Sequence, residues 1–164
     1  MELMQYEADV LMLGDALRAR GWMLATVESC TGGAIAAACT AVAGSSDWFD
    51  RAFVTYSNAA KTAMVGVDAA LVAAHGAVSE PVARAMAEGA LAHAPVQMAV
   101  AVTGIAGPGG AVPGKPVGTV WLAVAGVGGT TAERLQLDGD RDAVRAQTVA
   151  AALVRLIQRA RAVS

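Results

Sequence analysis

The chain is poor in the side chains that most often carry chemistry. Its two histidines, His75 and His93, lie far apart, and its two cysteines, Cys30 and Cys39, form no Cys-x-x-Cys pair. Neither spacing suits a structural metal, so no metal site and no cofactor are expected. Aromatic residues make up 4% of the chain, the net charge is −2, and no basic run is interleaved with aromatics. Nucleic-acid binding is not expected from such a surface. No apolar run is long enough to cross a bilayer, although 55% of the residues are hydrophobic. Much of that content is alanine, which points to close helix packing and self-association, with a homodimer expected. Glu2, Glu7, Asp9 and Asp15 make the start unlike the basic start of a signal peptide. A cytoplasmic protein with free thiols is the corresponding expectation.

Lysine is scarce too. Of 12 basic residues only Lys61 and Lys115 are lysine, and the others are arginine. Arginine stays charged near neutral pH, whereas burial or a neighbouring cation can make a lysine give up its proton. The two lysines therefore need separate readings. Lys61 follows an apolar segment, Ala52 to Tyr56, that reads as a strand. It is either placed at a strand end or is a surface lysine on the next helix.

The most informative stretch is Val27-Glu28-Ser29-Cys30-Thr31-Gly32-Gly33. It joins an apolar strand, Trp22 to Val27, to a helix beginning at Ala34 to Cys39. Two glycines allow a tight turn and a close backbone approach. The helix start offers free N–H groups to an anion or oxyanion. Ser29 is thus placed where nucleophiles often sit, and equally where an N-cap hydroxyl would sit. Cys30 invites a thiol reading, but neither histidine has the context of a Cys-His partner. It reads better as a small buried residue packed beneath the loop.

The remaining pattern is α/β. A helix spans Leu3 to Arg20 and stops at Gly21. A short helix covers Asp68 to Ala74, and another starts at Ser79-Glu80-Pro81 and runs to about His93. Val96 to Thr103 is a strand. Val117 to Ala125 and Thr130 to Leu137 form a hairpin. Asp140 opens a long last helix with Val144, Val149, Leu153, Leu156 and Ile157 on its apolar face. One domain over residues 1–164 is expected, a three-layer α/β/α sandwich with a mixed central sheet.

Two further motifs need weighing. Gly109 to Lys115 satisfies Gly-x-x-x-x-Gly-Lys, but Pro116 follows where a P-loop needs serine or threonine, and a strand follows where it needs a helix. Thr103, at a strand end, is the better site candidate. Arg141 and Arg145 share a helical face near the start of the last helix. They either grip a phosphate or pair with Asp138 and Asp142.

Together these segments resemble the nicotinamide-nucleotide amidase family, the C-terminal domain of CinA. The resemblance runs through Glu28-Ser29-Cys30-Thr31-Gly32-Gly33, Val54-Thr55-Tyr56-Ser57-Asn58 with Lys61, and His75-Gly76-Ala77-Val78-Ser79-Glu80-Pro81. It continues through Thr103-Gly104-Ile105-Ala106-Gly107-Pro108, Lys115-Pro116-Val117-Gly118-Thr119-Val120-Trp121 and Gly139-Asp140-Arg141. It implies hydrolysis of the carboxamide of nicotinamide mononucleotide by a serine–lysine amidase without a metal. Ser29 would be the nucleophile and Lys61 its base, with Tyr56 holding the lysine or relaying the proton. Backbone amides around Thr31, Gly32 and Gly33 would stabilise the oxyanion. Thr103 would orient the amide or the lysine, and Arg145, with Arg141 second, would hold the phosphate. The alternatives are a non-enzymatic nucleotide-binding or regulatory module, and a serine or cysteine hydrolase of another small amide.

Overall fold

A computed structural model describes residues 1–162 of the chain. A short 3-10 turn at Leu3–Tyr6 is followed by α1 Glu7–Arg20, β1 Leu24–Glu28, α2 Ala34–Thr40, a second 3-10 turn at Ser45–Asp47, β2 Phe49–Val54, α3 Asn58–Val65, α4 Ala69–His75, α5 Glu80–His93, β3 Met98–Gly104, β4 Thr119–Gly126, β5 Gly129–Gln136 and α6 Arg141–Ala162. The strands form one sheet in the order β2-β1-β3-β4-β5. β1 runs parallel to both β2 and β3, and β3-β4-β5 are antiparallel. The mixed sheet predicted from sequence is therefore present.

Alternation along the central strands explains the two helical layers. Leu24, Met98, Val100, Val102, Leu122 and Val124 face α1, α2 and α6, and meet Leu13, Leu17, Ile35, Leu153 and Leu156. The residues between them, Ala25, Val27, Ala99, Ala101, Ala123 and Ala125, face the other way, onto Val65, Val82, Met86 and Ala90 of α3 and α5. The second face is lined largely by alanine, so helices pack close to it. The same closeness appears between α5 and α3: a Cβ on Gly89 would stand 2.1 Å from the Val65 carbonyl oxygen.

The structure moves several predicted boundaries. The second strand is Phe49–Val54 rather than Ala52 to Tyr56, because the chain leaves the sheet edge after Val54. The Thr55 amide still reaches the Glu28 carbonyl at 2.9 Å, and the Ser57 hydroxyl then caps α3 by accepting from the Ala60 amide at 3.0 Å. Leu3 to Arg20 is a 3-10 turn followed by α1. Ser79 precedes α5 but donates its hydroxyl to the Gly76 carbonyl instead of capping the helix. Asp140 does cap α6, accepting from the Ala143 amide at 2.9 Å.

Candidate active site

β1 and β3 end side by side at the centre of the sheet, and this is where the site forms. The Ser29 amide continues the parallel pairing by donating to the Val102 carbonyl at 3.1 Å. The loop then turns through Gly32 and Gly33, whose φ angles of +59° and +103° lie in the left-handed region that side chains disfavour. Across from Ser29, α3 begins after the Thr55-Tyr56 connection and points Lys61 back at the serine.

Lys61 Nζ lies 3.1 Å from Ser29 Oγ, 3.0 Å from the Thr55 carbonyl oxygen and 3.4 Å from that of Tyr56. The lysine is 1% exposed. Among the described residues no carboxylate pairs with it. Burial therefore lowers its pKa from the ordinary lysine value, against a small opposing effect of the Cys30 thiol. Lys61 Nζ thus faces three oxygens, and the Ser29 hydroxyl also lies 3.4 Å from the Tyr56 carbonyl oxygen; when the amine is neutral its lone pair can turn to that hydroxyl. The surface-lysine alternative is thereby removed. Cys30 is also buried, and burial pushes its thiol up to about 11, so it stays protonated near neutral pH.

The Ser29-Lys61 pair opens into a cavity of about 240 Å³, walled also by Tyr56, Asn58, Thr103 and Arg141. The Thr103 hydroxyl is buried and donates to the Ala77 carbonyl at 3.0 Å. A second hollow of about 500 Å³ continues past Ala106 and Arg141, which line both. Asn58, the first residue of α3, has no partner signal in the sequence that would have marked it.

The other predicted site residues stand differently from the expectation. The Tyr56 phenol is 61% exposed and accepts from Arg141 Nη2 at 3.3 Å. It is the main-chain carbonyl of Tyr56, not its phenol, that holds Lys61. Arg145 does not reach the cavity wall: its guanidinium donates to the Cys30 and Thr31 carbonyls at 3.1 and 3.0 Å. Arg141 does reach the wall, and also donates to the Gly107 carbonyl at 2.8 Å. Among the described residues neither arginine pairs with Asp138 or Asp142, so the salt-bridge alternative fails as well.

Thr31, Gly32 and Gly33 are not among the residues that line the cavity. The Thr31 side chain is fully buried and donates to Glu28 at 2.7 Å, and the Gly32 amide is taken by the Ser29 carbonyl at 3.1 Å. Glu28 was missed altogether by reading for chemistry. It is a fully buried carboxylate that accepts from the Ile35 and Ala36 amides at the start of α2, at 2.8 and 2.9 Å. The helix start is therefore filled by the protein's own anion. The signal was a charged residue closing an otherwise apolar central strand.

The model of the CinA C-terminal domain matches residues 8–160. A protein of Escherichia coli strain K12 called nicotinamide-nucleotide amidohydrolase PncC is 54% identical over 158 residues, covering 96% of this chain and 94% of its own. A Pseudomonas putida protein of the same name is 54% identical over 146 residues, 89% and 91% of the two chains. A crystal structure of a CinA-superfamily protein from Klebsiella pneumoniae superposes with a TM-score of 0.90 at 40% identity, covering 93% of this chain and 96% of that one. Sequence motifs, sheet order and relatives agree, and the chain belongs to the CinA C-terminal domain family.

Proposed function

We propose that this protein hydrolyses the carboxamide of nicotinamide mononucleotide to nicotinic acid mononucleotide and ammonia, with Ser29 as nucleophile and Lys61 as general base. The observation that carries this reading is the 3.1 Å contact between Ser29 Oγ and a buried lysine that pairs with no carboxylate among the described residues. The names of the relatives supply the substrate.

The steps follow from the contacts. Lys61 takes the Ser29 proton as Oγ bonds to the carboxamide carbon, giving a tetrahedral oxyanion. Lys61, now an ammonium, passes that proton to the departing nitrogen, which leaves as ammonia, and the substrate remains as an ester on Ser29. A water then gives its proton to the neutral Lys61 and attacks the ester. The proton returns to Ser29 Oγ as the acid leaves. The amides of Cys30, Thr31 and Gly33 have no acceptor among the described residues, whereas those of Gly32, Ile35 and Ala36 are taken. The amide of Cys30, the one of these three residues that lines the cavity, is the donor for the oxyanion, rather than the α2 start.

Thr103 keeps its oxygen lone pairs for the substrate amide while donating to Ala77. Arg141 sits where the catalytic cavity meets the adjoining hollow, and holds the phosphate there. The purified protein supplied with nicotinamide mononucleotide is expected to release ammonia and the acid mononucleotide in equal amounts. Binding without release would favour the regulatory-module alternative, and release from other small amides in preference would favour a different hydrolase.

A further inference from the structure

Glu28 has no part in the steps above, yet it stands directly before the nucleophile. Its side chain is fully buried, and each carboxylate oxygen accepts two hydrogen bonds. Oε1 takes the Thr31 hydroxyl at 2.7 Å and the Ile35 amide at 2.8 Å. Oε2 takes the Thr26 hydroxyl at 3.0 Å and the Ala36 amide at 2.9 Å. The donors come from three pieces of chain: β1 itself, the loop that carries Ser29, and the first turn of α2. Glu28 also ends the sheet pairing, opposite Val54 of β2 and Val102 of β3.

We propose that Glu28 is a positioning residue for the nucleophile: the hydrogen bonds it accepts from Thr31, Ile35 and Ala36 tie loop and helix to the strand and so fix Ser29 Oγ against Lys61, whereas the Thr26 bond stays within β1. The chemistry requires a carboxylate. Four donors converge on two oxygens, and only an ionised carboxyl can accept at both without donating. A glutamine in its place would turn an NH2 toward one of these oxygen positions. The hydroxyl there can rotate to accept, but the helix amide cannot, and an N–H would face an N–H. The loop would shift to relieve that contact. A displacement of a catalytic group by a fraction of its bonding distance removes much of the rate while leaving the ligand cavity in place. The carboxylate also occupies the dipole end of α2, which directs a substrate anion elsewhere.

This inference rests on the proposed Ser29-Lys61 chemistry, so its test has a readout that does not need turnover. Wild type, Glu28→Gln, Thr31→Val and Thr26→Val are treated with an aryl sulfonyl fluoride, and labelling of Ser29 is followed by mass spectrometry beside steady-state kinetics on nicotinamide mononucleotide. Glu28→Gln is expected to label Ser29 about 10- to 100-fold more slowly, and to lose kcat by the same factor with KM within about threefold. Thr31→Val, which frees the loop from the same oxygen, is expected to lower both rates about tenfold. Thr26→Val, which touches the carboxylate from the strand side, should leave both within about twofold.

Should Glu28→Gln fail to fold, Thr31→Val against Thr26→Val decides. Normal labelling and kcat in folded Glu28→Gln or Thr31→Val would overturn the proposal, as would an effect confined to KM or an equal loss in both threonine variants. A wild type that labels at Ser29 but releases no ammonia would sink the substrate reading alone. A Ser29 that does not react at all would sink both.

Discussion

At the residue scale, the proposed chemistry turns on Lys61. Burial lowers its pKa, so the fraction of neutral base near neutral pH is larger than for a surface lysine. The sign follows directly: kcat/KM should rise with pH as Lys61 loses its proton and level off below 10.5, the ordinary lysine value. A rate that climbs only near 10.5 would contradict the burial argument. Folding disfavours the charged form of Lys61, so the unfolded chain binds more protons between the lowered native pKa and the unfolded one, and stability rises with pH across that window. Lys61→Arg keeps a cation but removes the base, and kcat should fall on the order of 10³-fold or more.

The two arginines give the complementary test. Arg141→Ala should raise KM for the mononucleotide by roughly 10- to 150-fold, the worth of a charge-assisted contact. It should hardly change hydrolysis of the riboside lacking the phosphate. Arg145→Ala should instead lower kcat on both substrates, because Arg145 holds the Cys30 and Thr31 carbonyls. The reverse pattern would return the phosphate to Arg145. From sequence, the strand-and-turn pattern left Ser29 as nucleophile or N-cap and Lys61 as strand-end or surface lysine; the resemblance to the family paired them. The partners of Arg145 were not, since Thr31 and Arg145 are separated by 114 positions and only the folded sheet brings them together. Glu28 was hidden for a different reason: two of its four donors are main-chain amides, which leave no mark on composition or spacing.

At the scale of elements, α3 matters because it carries Lys61, and α5 holds α3 in place through Gly89. A methyl group at Gly89 would collide with the Val65 carbonyl oxygen at 2.1 Å and Val65 Cβ at 2.9 Å, near the end of α3. Backbone cannot swing aside as a side chain can. Gly89→Ala should therefore destabilise by about 1–3 kcal/mol, read as a fall in Tm of roughly 2–12 °C, and should depress activity by moving α3. Gly109→Ala, where nothing lies within 4 Å, is the control and should be within about 0.5 kcal/mol of wild type. A neutral Gly89→Ala would mean that α3 and α5 are less closely seated. The helices were readable from their stop signals and caps, Gly21 and Asp140 among them. The edge strand β2 was read about three residues late, because Thr55 and Tyr56 look like strand residues but serve as the connection into α3. Their carbonyls there face Lys61, so a local preference gave way to the site.

At the scale of the whole molecule, the sheet does two things at once. Its apolar central strands separate two helical layers, and their ends bring together a serine from the loop after β1, a lysine from α3, a threonine from β3 and an arginine from α6. No helix among the described residues is long and apolar enough to cross a membrane. Order of motifs along the chain made the family legible, but the division of labour among the site residues needed the fold. The central claim is that the hydroxyl of Ser29, and not the neighbouring thiol or a metal-bound water, attacks the amide. It is tested by measuring ammonia release from nicotinamide mononucleotide, in a strong chelator, by wild type, Ser29→Ala and Cys30→Ala. Wild type and Cys30→Ala should both turn over, while folded Ser29→Ala should lose on the order of 10³-fold or more. Near-normal release by Ser29→Ala, loss in folded Cys30→Ala, or activity restored only by a divalent cation would contradict the account.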